Sequence, residues 1–237
     1  MTHKPVCFFD VDDTLYNKDL NVLSLMRKKI QDYFVNELGI PADEVAPLQR
    51  KYQATYGLSL RGVQIDYNVD PLDYDRKVDQ ALPLDGLIKR DDKLIKMLKG
   101  MNCKKWVFTN AFKPHAVRCL KLLGVENEFD GLTYTNYLVP NFNCKPEPAA
   151  FHRAMKNAGV TDPKLCYLVD DSIKNIEAAQ KMGWTTVHVA GDASTSTHGD
   201  YQIDEIHDLP NVLPELWEPH SEKMKLRRQS IGVTTAA

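Results

Sequence analysis

Val6-Cys7-Phe8-Phe9-Asp10-Val11-Asp12-Asp13-Thr14-Leu15 is the stretch that decides the fold. Its apolar opening, Val6 to Phe9, reads as a short buried strand, rich in the side chains that pleated sheets favour. The strand runs directly into Asp10, Asp12 and Asp13. Carboxylates crowded at one strand end repel one another, and a buried site tolerates them only with a cation or with one group protonated. Helix capping by Asp13 or Thr14 accounts for the same residues without any chemistry.

Three further runs resemble this strand: Trp106 to Phe108, Leu165 to Val169, and Thr186 to Val189. Helical patterns separate them, at Pro114 to Leu123, Pro148 to Ala158 and Ile173 to Met182, with Gly124, Gly159 and Gly183 placed to end each helix. Strands alternating with helices of this length predict parallel βαβ units and a doubly wound α/β sheet. The ligand crevice of such a sheet lies beyond the carboxyl ends of its strands, so the informative residues come just after each strand.

After the second strand stand Thr109 and Asn110, a hydroxyl and an amide suited to an anion, though both also cap helices. Lys145-Pro146-Glu147-Pro148 precedes a helix, which sets an ammonium near a helix N-terminus; a lysine in a loop is otherwise a solvated charge. The third strand delivers Asp170-Asp171-Ser172, with Asn175 one turn on. Adjacent acids at a buried strand end are costly unless they hold a metal, and the bland alternative is a surface cap. Acid, hydroxyl, amine and acid arriving on one rim of one sheet is a pattern that independent caps would not produce.

This order, DxDxT, a strand ending in Thr, Lys before a helix, then DD with Asn175 beyond, resembles the haloacid-dehalogenase superfamily of phosphohydrolases over residues 5 to about 190. The resemblance implies a Rossmann-like core with a mobile cap inserted after the first strand. It implies Asp10 as nucleophile, forming an aspartyl-phosphate, and Asp12 as the acid and base, with a pKa raised relative to Asp10. Thr109, the backbone around Asn110, and Lys145 would hold the phosphoryl group. Mg²⁺ would sit against Asp10, the backbone carbonyl of Asp12, and Asp171, with Asp170 direct or through water.

A narrower resemblance lies in Tyr56 to Gly62, in Phe108-Thr109-Asn110-Ala111-Phe112 with His115 and Arg118-Cys119-Leu120, and in Phe129 to Tyr134, which look like the fungal pyrimidine 5'-nucleotidase group. That group is linked to UMP and CMP, and some relatives are described as acting on nicotinamide mononucleotide or lysophosphatidic acid. The small-molecule substrate implied is thus a phosphate ester. At the position after the second Asp, where the group varies, this chain has Asp13.

From Asn17 to Asp85 the periodicity is helical, at Val22 to Leu38, Pro41 to Tyr56 and Leu72 to Leu82, without a convincing strand. The expected division is residues 1–16 and 86–217 as core, 17–85 as a helical cap over the crevice, and 218–237 as a loose tail holding Lys223 to Arg228 and a kinase-like Arg227-Arg228-Gln229-Ser230. Tyr52, Tyr56, Arg61 and Tyr67 offer the cap aromatic faces and one guanidinium for a nucleobase, with Tyr56 and Arg61 as the candidate contacts. Leu60-Arg61-Gly62 reads as a flexible, non-helical stretch. Tyr52 and Tyr56, four apart, can equally pack the cap's own core.

The chain has 237 residues, 43% hydrophobic and 26% charged, which suits one large domain or one with an insert and excludes wholesale disorder. With 30 basic and 32 acidic side chains, nothing calls for nucleic acid or an anionic membrane. Cys7, Cys103, Cys119, Cys144 and Cys166 lack metal-ligand spacing and read as reduced, mostly buried thiols. Without a signal-like or membrane-length apolar run, the expected location is cytosol or nucleus. Oligomeric state is not encoded in any pattern here.

Rival classes share parts of this pattern. A receiver module is shorter, with its phosphoacceptor on a middle strand. A dehalogenase has no need of Asp12. A phosphomutase would use the same motifs, as would a non-catalytic binding protein that had kept them.

Overall fold

In the computed structural model, which describes residues 4–218, β1 (Val6–Phe9) lies inside a sheet whose every pairing is parallel. In chain order there follow α1 (Val22–Asn36), α2 (Ala42–Tyr56), α3 (Ser59–Tyr67), α4 (Pro71–Lys77), α5 (Leu84–Leu87) and α6 (Asp92–Gly100). Next come β2 (Lys104–Phe108), α7 (Lys113–Leu123), β3 (Gly131–Thr133), α8 (Pro148–Ala158), β4 (Cys166–Asp170) and α9 (Ile173–Lys181). The last are β5 (Thr185–Val189), β6 (Tyr201–Ile203) and α10 (Leu209–Val212). The six strands lie in the order β3-β2-β1-β4-β5-β6. This is the order of a doubly wound sheet, with the chain's direction of travel reversing between β1 and β4.

Alternation along the strands builds two cores. Cys7, Phe9, Val107, Tyr167, Val169 and Val187 face α6, α7 and α10, while Val6, Phe8, Trp106, Phe108, Cys166 and Leu168 face α8 and α9. Strands buried on both faces need apolar residues at every position, which is why they read as continuous runs. Gly124 and Gly159 close α7 and α8 in the left-handed region, at φ 76° and 69°, where a side chain would be strained.

A third core fills the insert. Phe34, Val45, Tyr52, Leu60, Val63 and Tyr74 pack among α1 to α4, and Phe112, Tyr137 and Phe142 from the loops around the sheet join them. Three sequence expectations change here. Leu60-Arg61-Gly62 is not irregular but lies within α3. Gly62 is there for space: a Cβ would lie 2.2 Å from the Tyr52 ring. The helix expected over Leu72 to Leu82 ends at Lys77, because Val78, Asp79 and Leu82 turn inward and are buried. The short β3 and β6 were not expected.

Cys7, Cys103, Cys119, Cys144 and Cys166 are free and buried. Among the described residues, no helix is long and apolar enough to cross a membrane. Lys223 to Arg228, the Arg227 to Ser230 motif and nearly all of the expected tail lie outside the described residues.

Candidate active site

Register fixes the rim. Phe9 is level with Val107 of β2 and Val169 of β4, so Asp10 and Asp170 emerge side by side where the sheet reverses, with Thr109 one residue further along beyond β2. Asp10 and Thr109 border a cavity of about 460 Å³ together with Asp12, Asn110, Lys145, Asp171 and Asn175, while Asp170 is fully buried and does not line it. The opposite wall is Gln53 to Leu58, from the end of α2 and the turn after it. Such a volume suits a small organic ligand.

Lys145 organises the floor. Its side chain is fully buried, and Nζ donates to the Phe108 carbonyl at 2.8 Å and to Asp170 Oδ2 at 2.6 Å, and lies 3.2 Å from Asp10 Oδ1. Burial acts to lower its pKa, but Asp10 and Asp170 outweigh this and hold it above the ordinary lysine value. Asp170 also accepts from Asn175 Nδ2 at 2.9 Å and from the Ser172 N–H at 2.9 Å. Its oxygens are thus occupied by protein donors. Asn110 clasps the Lys145 backbone, its Oδ1 accepting at 2.7 Å and its Nδ2 donating to the Lys145 carbonyl at 2.8 Å. The Asn110 amide therefore positions the lysine rather than facing a ligand. Thr109 Oγ1 accepts from the Ala111 N–H at 3.0 Å.

One oxygen each from Asp10, Asp170 and Asp171 lies within 4.8 Å of the others. Burial pushes Asp10 up to about 7, with Lys145 opposing and Asp170 and Asp12 adding to it. Asp171 is pushed to about 9 by burial, then by Asp170, Asp10 and Asp13, against Lys145. An all-oxygen, anion-rich donor set with excess negative charge fits a hard divalent cation such as Mg²⁺. His188, unremarked in the sequence, contacts the Asp171 carbonyl through Nε2 at 2.9 Å, and Thr14 Oγ1 accepts from the Asp171 N–H at 3.1 Å.

Asp12 reverses an expectation. In the protein alone its pKa is lowered, not raised relative to Asp10: burial acts upward, but His115, Tyr16 and Lys145 together bring it down. Oδ1 takes hydrogen bonds from Tyr16 OH at 2.5 Å and His115 Nε2 at 2.8 Å. The sequence had placed His115 only within a resemblance. Its link to Asp12 spans more than a hundred positions, so no local pattern announces it.

Of the insert residues, Tyr56 lines the cavity. Arg61 does not: its guanidinium pairs with Glu147 and lies 5.7 Å from the Tyr56 ring centre. Tyr52 is buried in the insert core and donates to Asp66, while Tyr67 is exposed.

A family model described as haloacid dehalogenase-like hydrolase matches residues 4–183. Phosphate metabolism protein 8 of Saccharomyces cerevisiae is 34% identical over 94% of this chain and 77% of its own length. Glyceraldehyde 3-phosphate phosphatase of Methanocaldococcus jannaschii is 25% identical, over 88% of this chain and 96% of its own. The crystal structure of a HAD phosphatase from Thermococcus onnurineus superposes with a TM-score of 0.57 at 20% identity, covering 88% of this chain and 97% of that one, a likeness of fold.

Proposed function

The chain belongs to the haloacid dehalogenase-like hydrolases, and from that premise we propose that it is a Mg²⁺-dependent phosphomonoesterase acting on nucleoside 5'-monophosphates, pyrimidine ones first. The observation that carries phosphoryl chemistry is the pairing of Asp10 and Asp12 on one cavity with Lys145 beneath. Two carboxylates serve an ester whose leaving oxygen needs a proton; a displacement of halide needs one.

Asp10 attacks phosphorus, the P–O ester bond breaks, and the electron pair goes to the leaving oxygen, which takes a proton from Asp12. Water then attacks the aspartyl-phosphate and gives its proton to Asp12; the bond to Asp10 breaks, releasing orthophosphate and the free carboxylate. In the protein alone Asp12 is the more acidic group, but a phosphate dianion beside it raises the pKa of a neighbouring carboxyl. Lys145 and the Thr109 hydroxyl lie where phosphoryl charge would be held. Asp10, Asp171 and the Asp12 carbonyl would hold the cation, which neutralises phosphoryl oxygens when bound. Asp170, engaged by Lys145 and Asn175, would hold the lysine first and the metal through water.

The nucleoside reading rests on the wall facing the carboxylates. Tyr56 offers a ring, and Gln53 and Thr55 offer hydrogen-bonding groups, on the same cavity that Asp10 and Lys145 line. The name of the archaeal relative favours a second reading, a triose or other small sugar phosphate. Nicotinamide mononucleotide, lysophosphatidic acid and a phosphomutase reaction follow behind, as does a non-catalytic binding role. A small-molecule phosphate ester as partner, with neither nucleic acid nor membrane, and a cytosolic or nuclear location complete the proposal. Phosphate release with and without Mg²⁺ across these esters tests it. UMP and CMP should give the highest kcat/KM; a sugar phosphate ranking first overturns the nucleotide reading, and no release from any ester overturns the phosphatase.

A further inference from the structure

His115 is fully buried on α7, yet its ring reaches a carboxylate at the cavity edge. Both hydrogen bonds that the structure gives the Asp12 side chain, from Tyr16 OH and from His115 Nε2, fall on the same oxygen, Oδ1. A carboxylate gripped at one oxygen by two donors has one orientation, and its other oxygen, Oδ2, is left for chemistry. Cys119, one turn along α7, flanks the same ring at 3.5 Å. The insert adds two more buried acids, Asp75 and Asp79, within electrostatic reach of the ring. A neutral packing residue would not be surrounded this way.

We infer that His115 is the positioning residue of the acid and base step: with Tyr16 it holds Asp12 Oδ1 so that Oδ2 meets the leaving oxygen. Its N–H also stabilises the carboxylate that remains once the proton has gone. Atoms and electrons balance within the reaction already written: the Oδ2 proton passes to the departing alkoxide, the electron pair of the broken P–O bond goes with that oxygen, and His115 keeps its own proton throughout. This inference rests on the phosphatase reading and adds a residue that the metal and phosphate contacts do not require.

The distinguishing quantity is how much protonation the leaving group needs. p-Nitrophenolate departs without a proton, whereas the alkoxides of UMP and glycerol 3-phosphate do not. His115→Leu keeps bulk and loses the N–H; His115→Gln sets an amide N–H near the Nε2 position. With His115→Leu, kcat/KM for UMP and glycerol 3-phosphate should fall about a hundredfold. For p-nitrophenyl phosphate kcat/KM should stay within about threefold, while kcat and KM fall together because the aspartyl-phosphate hydrolyses slowly. His115→Gln should recover most of the alkyl activity. Should the leucine variant fold poorly, Tyr16→Phe removes the other bond to Oδ1 without a void and should give the same split, at about tenfold. Equal losses of kcat/KM on aryl and alkyl esters, or a glutamine variant as impaired as leucine, overturn the inference while leaving the phosphatase standing. A wild-type protein that hydrolyses none of the three esters overturns the phosphatase reading and this inference with it.

Discussion

Lys145 is the side chain on which the most depends, because its ammonium is the one buried positive group between Asp10 and Asp170. Lys145→Met keeps the length and removes the charge, leaving two carboxylates in the interior uncompensated. The expected loss of stability is about 3–5 kcal/mol, read from the urea midpoint. Activity should vanish as well, and a variant as stable as wild type would show that the carboxylates are not both ionised in the folded protein. Asp10→Asn keeps volume and hydrogen bonding to the Val11 N–H. It should lower turnover by roughly 10³ or more with little change in melting temperature; turnover within tenfold of wild type would remove Asp10 as nucleophile. The positions of Asp10, Asp12, Thr109, Lys145 and Asp171 are legible in the sequence for a local reason: each follows an apolar run or precedes a helix pattern. His115 and His188 are not, because what they do depends on partners that only the tertiary fold brings within 3 Å; Tyr16, four residues from Asp12, makes a local contact that carries no sequence signature.

At the scale of elements, the packing of the insert depends on α3. Gly62 lets Tyr52 lie flat against the helix, so Gly62→Ala forces the ring aside. The clash costs about 1–3 kcal/mol and exceeds the gain in helix propensity of about 1 kcal/mol, so the melting temperature should drop. A rise would mean the ring can move freely. In sequence Gly62 reads as flexibility, but in the fold it is small for its neighbour's sake. Strands β3 and β6 escaped for a different reason, since a three-residue strand carries too few side chains to show alternation. Arg61 and Tyr56 now part company. Tyr56→Ala should lower kcat/KM for UMP tenfold to a hundredfold, about 1.4 to 2.7 kcal/mol, and barely touch p-nitrophenyl phosphate. Arg61→Ala frees Glu147 beside the Lys145 loop and should raise KM for both substrates alike by a few fold. A loss confined to UMP would return Arg61 to the nucleoside site.

For the whole molecule, the acids of the site oppose folding when no cation is bound. Asp10 holds its proton to about 7 and Asp171 to about 9 in the fold, whereas an unfolded chain releases both near 4. Between those values the folded state binds more protons than the unfolded one, so stability falls as pH rises from about 4 to about 9 and levels beyond. Buried Asp79, raised to about 7, acts in the same direction. A divalent cation that binds only the folded protein relieves this repulsion. The melting temperature should therefore gain more from Mg²⁺ at pH 8 than at pH 5, and Asp171→Asn should flatten the metal-free pH profile. Equal Mg²⁺ shifts at both pH values would count against these carboxylates as the binding site.

The sheet order has a consequence for how the protein is made. Val6 pairs with Cys166, and Phe9 with Val169, so β1 leaves the ribosome roughly 160 residues before the partner on its far side exists. At about 5–20 residues per second, that is a wait of about 8 to 30 seconds. During synthesis the nascent chain can close the insert's own core and pair β1 with β2, but one edge of β1 stays open and the Asp10 rim lacks its second pair of acids. A nascent chain stalled before β4 should therefore be sticky to chaperones and inert toward phosphate esters. The reactive carboxylate is assembled only when its restraining lysine and its acidic partners, Lys145, Asp170 and Asp171, arrive more than 130 residues after it and within 27 residues of one another.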